Sequence, residues 1–105
     1  MSNDLVTGED AYRRTVRTEV AMELINSVRA AIYARVYRLE EGGEADRHEA
    51  ARLRQKAIAL RRLLGSLDCN EQQQVEAVIG HWGPLLKDEQ RLWPALQDNR
   101  PLLAA

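Results

Sequence analysis

Apolar side chains recur early in the chain at Ala21, Ile25, Val28, Ile32, Val36 and Leu39, at steps of three and four. That spacing marks one face of an α-helix and predicts a helix over about 8–41. Thr7 stands where it can cap this helix, with Asp10 three residues on in capping-box spacing. A second stripe, Ala50, Leu53, Ala57, Leu60 and Leu64, predicts a helix over about 44–64. Gly42-Gly43 between them turns the second helix back on the first, seam against seam.

The turn residues Gly65, Ser66 and Asp68 then interrupt the pattern. A third helix is predicted after Asn70, with Gln73 completing a capping box and Val75, Val78, Ile79 and Trp82 as its buried face. Gly83-Pro84 reads as a break, Pro84 suiting the first turn of a short fourth helix over 85–93. Pro94 then opens a last turn, and the residues after Gln97 read as a loose tail. No segment alternates with period two, so no strand is expected. The prediction is an all-α single domain over 1–105, a three- to four-helix bundle built on a long antiparallel helical hairpin.

At about 1.5 Å per residue, the first helix is roughly 50 Å long and the second roughly 30 Å. Paired from the glycine turn, the second ends opposite about residue 20, and the first dozen residues of the first helix outrun it. At about 100° per residue, Tyr12, Val16, Glu19, Glu23 and Ser27 share a stripe nearly opposite the Ala21/Ile25/Val28/Ile32 seam. Tyr33 and Tyr37 continue it. The last helices are expected to cover Tyr33 and Tyr37, leaving Tyr12 and Val16 for a partner.

Composition adds limits. Phe is absent from the 105 residues, so Leu, Val, Ile and Ala fill the core, with Trp82 and Trp93 as the largest side chains. Cys69 is the only cysteine. It cannot form a disulfide within the chain, and it reads as a small core or cap residue suited to a reducing compartment. No apolar run approaches the roughly 20 residues of a membrane span, and the acidic start lacks a signal-peptide pattern, so cytoplasmic residence is expected. Net charge is −1, but residues 13–62 carry twelve Arg and Lys against seven Asp and Glu, with both ends acidic. Interleaved Arg and Glu on helices read as solvated faces, and nucleic acid is disfavoured as a partner.

Catalytic constellations are not evident. His48 lies among Asp46, Arg47 and Glu49 at the start of the second helix and reads as a surface histidine; His81 reads as a residue serving the end of the third or packing in the core. No second histidine follows His48-Glu49 in zinc-protease spacing, and no glycine-rich loop leads into Lys-Ser or Lys-Thr. No enzyme activity, cofactor or metal site is expected. Arg52, Arg54, Lys56, Arg61 and Arg62 are the best candidates for a nucleic-acid surface.

Tyr12, Thr15, Glu19, Glu23, Leu24, Ser27 and Val28 form a gapless pattern over about 17 positions of the first helix, and His81-Trp82 adds a weaker echo. This pattern resembles the first helix of the epsilon antitoxins, helical partners of zeta-type toxin kinases. The glycine turn and proline-rich end depart from it. The resemblance implies a three-helix bundle that inhibits a P-loop kinase, the leading part of the first helix blocking the nucleotide site. The implied partner is a cognate toxin or effector kinase that phosphorylates a small nucleotide-linked metabolite, and the implied assembly a homodimer or heterotetramer. The partner-binding residues are then Tyr12, Thr15, Val16, Glu19 and Glu23. Three other readings stand beside it: an effector or secretion chaperone, a DNA-binding regulator using the second-helix arginines, and a structural subunit of a larger assembly.

Overall fold

The stretch after Gly8 holds no glycine or proline until Gly42, and it is helical almost throughout. In the computed structural model, which describes residues 8–97, α1 spans Gly8–Glu40, α2 Glu44–Ser66, α3 Gln72–Leu86 and α4 Glu89–Gln97. Glu9 and Asp10 in the first turn of α1 and Arg38 in its last oppose the helix dipole favourably. No strand occurs among the described residues. The long axis measures 64 Å against 22 and 19 Å across, and about 50 Å of it is α1. Thr7 as a cap and the tail after Gln97 lie outside the described residues.

The core follows the periodic stripes. Ala21, Ile25, Val28, Ile32 and Val36 of α1 are fully buried, and Ala50, Leu53, Ala57, Leu60 and Leu63 of α2 meet them. Leu63 takes the innermost place expected for Leu64, which is only half-buried, as is Leu39. Covering each such aliphatic side chain contributes about 2 kcal/mol. The hairpin turn is tight: a Cβ on Gly42 would collide with the Asp46 side chain, so the first glycine of the pair is required by space.

The last two helices run alongside α1 in its own direction. Gln72 reaches Thr18, Glu76 pairs with Arg17, Gly83 lies against Leu24, and Arg35 stands over the Trp93 ring. Together α3 and α4 therefore act as one segmented third helix. Val75, Val78 and Trp82 close the core, Ile79 is half-buried, and Leu92 and Leu96 extend the core along α4. Trp82 is a core residue. Trp93 is half-buried under the Arg35 guanidinium, 4.3 Å from the ring centroid. The Arg52 guanidinium donates to the Leu96 carbonyl at 3.0 Å, filling an acceptor at the end of α4 that its own helix leaves open.

Three boundaries differ from the sequence expectation. Asn70 does not cap α3. It belongs to a turn in which its N–H donates to Asp68 Oδ1, and Gln72 turns its amide back to the Cys69 carbonyl at 2.8 Å. Nor does Pro84 break the third helix, which continues to Leu86. The ring is on the exposed side, so the Gly80 carbonyl that loses its helical donor faces water. The break comes instead at Lys87-Asp88, where the Asp88 carboxylate accepts from the Gln90 N–H at 3.1 Å and starts α4. Pro94 lies inside α4, not at the head of a further turn.

Ile25→Ala should cost about 3 kcal/mol in urea unfolding, since the side chain is sealed on all sides. A Cβ at exposed helical Gly80 meets nothing within 4 Å, so Gly80→Ala should stabilise by about 0.5–1 kcal/mol. Trp82 Nε1 is buried without a hydrogen-bond partner. Trp82→Phe should therefore cost clearly less than Trp82→Ala, for which about 3–5 kcal/mol is expected.

Candidate functional site: the outer face of α1

Two helices pack against α1, on adjacent flanks. Arg14, Arg17, Thr18, Leu24 and Arg35 border α3 and α4, while Glu40 pairs with Arg54 of α2. The remaining stripe faces solvent. Tyr12, Thr15, Glu19 and Glu23 are exposed on it, and Val16 is half-buried at its edge. The five residues singled out in the sequence thus share one continuous surface.

The overhang is shorter than helix lengths alone suggest. Gln72 donates to the Arg14 carbonyl and to Thr18 Oγ1, so cover begins near Arg14 and only residues 8–13 run free. Thr18 is the buried polar anchor of this junction. Its hydroxyl donates back to the Arg14 carbonyl at 2.8 Å and accepts from Gln72. Sequence reasoning missed both residues, because a threonine and a glutamine in polar stretches carry no periodic signal.

The chemistry of the face is acceptor-rich. Glu19 and Glu23 make no ion pair among the described residues. Thr15 Oγ1 spends its proton on the Ala11 carbonyl at 3.0 Å, so towards a partner it offers lone pairs. Farther along, Tyr33 is half-buried against the core and Tyr37 is 62% exposed. The expectation that the last helices cover both tyrosines is corrected, because α3 and α4 lie on the other flank, where Arg35 meets Trp93.

Other candidate groups fall elsewhere. Cys69 is exposed in the turn between α2 and α3, not a core residue; the turn engages its carbonyl and leaves the thiol outside. His48 is exposed at the start of α2. His81 stands mid-helix because α3 continues past it, so it does not serve a helix end. Its exposed ring meets Trp82 edge-on at 4.7 Å, and partial burial lowers its pKa. Among the described residues, no group of three or more His, Cys, Asp or Glu could hold a metal ion, and no helix is long and apolar enough to cross a membrane. The α2 cations are partly engaged: Arg52 with Glu49, Arg54 with Glu40.

Comparison with family models, curated proteins and solved structures finds no match.

The ion pairs set a pH dependence. Hydrogen bonds from Arg52 and Arg17 hold the Glu49 and Glu76 carboxyls below the usual glutamate value. A carboxyl with a depressed folded pKa stabilises above its unfolded value and loses that contribution as pH falls through the folded one. His81, also depressed, loses its contribution as pH falls from about 6.5. Thermal stability should be level above neutrality, dip slightly below pH 6.5 and fall further below about pH 4.5. In circular-dichroism melts, Glu49→Gln should flatten the acidic limb and His81→Gln should remove the first dip.

Proposed function

We propose that this chain is an antitoxin-like protein that binds and inhibits a zeta-type P-loop toxin or effector kinase, occluding its nucleotide or substrate site with the N-terminal part of α1. On this reading it acts in the cytoplasm, carries no catalysis or cofactor of its own, and leaves phosphoryl transfer to its partner. The observation that supports it is the exposed grouping of Tyr12, Thr15, Glu19 and Glu23, with Val16 at its edge, on the solvent face of the leading half of α1, whose residues 8–13 run past its neighbours. Such a rod end can enter a cleft that the bundle itself cannot.

The chemistry suits a site built for phosphates. Glu19 and Glu23, without an ion pair among the described residues, bring two carboxylates one helical turn apart, matched to the Lys and Arg side chains that hold a nucleotide. Tyr12 supplies a flat amphipathic ring of the kind enriched in interface hot spots, and Val16 supplies apolar contact below it. Thr15 can accept one hydrogen bond. A chaperone would use the same surface without silencing its client, so the activity of the bound partner separates these readings. The regulator reading is weakened because two α2 arginines are held by neighbouring glutamates.

The double change Tyr12→Ala with Glu19→Ala should leave far-UV circular dichroism and stability nearly unchanged, since both side chains are exposed. Inhibition of a zeta-type kinase that the unaltered chain silences should weaken by roughly tenfold or more. Undiminished inhibition by the double variant would remove these residues from the site.

A further inference from the structure

The last helix is a separate piece laid on the hairpin. α3 ends at Leu86, α4 begins at Glu89, and neither residue of the Lys87-Asp88 break between them is buried. Within α4, Pro94 has no N–H, so the Gln90 carbonyl receives no helical donor. Glu89 and Arg91 make no ion pair among the described residues. What holds α4 is supplied by the other helices. Leu92 and Leu96 are buried, Trp93 lies under the Arg35 guanidinium, and Arg52 donates to the Leu96 carbonyl.

The seat does not need α4 to keep its form. Arg35 is on α1 and Arg52 on α2, so they stand on opposite banks of the trough that α4 fills. Glu49 holds Arg52 through hydrogen bonds of 2.7 and 3.0 Å, both made within α2. Beside the two arginines, Ile32 and Val36 of α1 and Ala50 and Leu53 of α2 belong to the buried faces of the hairpin. The floor of the trough is therefore apolar. One bank offers a guanidinium to the open carbonyls of a helix C-terminus, and the other offers one to an aromatic ring. α4 itself displays the occupant that this chemistry takes: leucines four apart on one face, an aromatic ring beside the first, and a last-turn carbonyl able to accept.

We propose that α4 is a detachable latch, and that the trough beneath it is a docking site for an amphipathic helix of another protein carrying the same Leu-x-x-x-Leu face. The latch is then an internal competitor. An incoming helix enters only when α4 is open, so whatever loosens α4 raises the apparent affinity for that helix. The trough lies at the turn end of the hairpin, away from Tyr12 and Glu23, and the proposal does not depend on the inhibitory reading.

Native-state hydrogen exchange on the full chain tests the latch. Amides of residues 95–97 should exchange roughly a hundredfold or more faster than those of Val28 and Ile32. They should also respond far less to urea, because opening one short helix exposes less surface than global unfolding. A synthetic peptide with the sequence of residues 88–97 tests the docking site. Tethering presents α4 at an effective concentration near millimolar, so the peptide is added at that level. It should shift the NMR signals of Val36 and Leu53, and the same peptide with Leu96→Asp should not. In the chain, Leu96→Ala weakens the latch and leaves the trough intact, so peptide affinity should rise by roughly tenfold or more. Trp93→Ala should act in the same direction to a smaller degree. Arg52→Ala damages the seat for α4 and peptide alike, and should speed exchange in α4 without that gain in affinity. Circular dichroism should show these variants still helical, with α1, α2 and α3 packed. Amides of α4 that exchange only with global unfolding, or unfolding of both Leu96→Ala and Trp93→Ala, would remove the latch. A peptide that binds the Leu96→Ala chain no better than the unaltered one, or that shifts signals elsewhere, would remove the docking site.

Discussion

The arrangement of this protein depends on the packing of one long apolar seam. The fully buried residues of α1, from Ala21 to Val36, must serve two neighbours at once. A stripe of three- and four-residue steps is wide enough for helices on adjacent flanks, but not for a third. Once α2 takes one flank and the α3–α4 segment the other, part of α1 is left to water along its whole length. Tyr12, Glu19, Glu23 and Tyr37 lie on that uncovered part. The exposed face is thus a direct consequence of how a three-helix cross-section closes.

The same geometry explains why the third helix comes in two pieces. The α3 segment alone covers only part of α1. The turn at Lys87-Asp88 lets the chain resume as α4 and continue along the hairpin, so that Leu92 and Leu96 extend the core. Two arginines hold this short helix, Arg35 over Trp93 and Arg52 on the Leu96 carbonyl. Nine residues are too few to be stable as an isolated helix. Their order is borrowed from the hairpin through these contacts and the buried leucines.

The solvent face of the leading half of α1 combines Glu19 and Glu23, which make no ion pair among the described residues, with an aromatic ring and an apolar edge, on a scaffold whose rigidity comes from elsewhere. The residues of this face are separate from those that hold the scaffold together. Changes on the face leave the packing intact, while changes along the seam alter stability.

Residue pattern alone determined the fold class, the hairpin, the extent of α1 and most of the core, because helical periodicity is a local property written into the order of apolar residues. It also placed Tyr12, Val16, Glu19 and Glu23 on a common stripe, for the same reason. Tertiary structure decided what lay on either side of that stripe. The choice of Leu63 over Leu64, the passage of α3 through Pro84, the exposure of Cys69 and Tyr37, the Gln72–Thr18 junction and the arginine hold on α4 all depend on the azimuth at which one helix meets another. That angle is set by contacts between residues distant in the chain, and no local period encodes it.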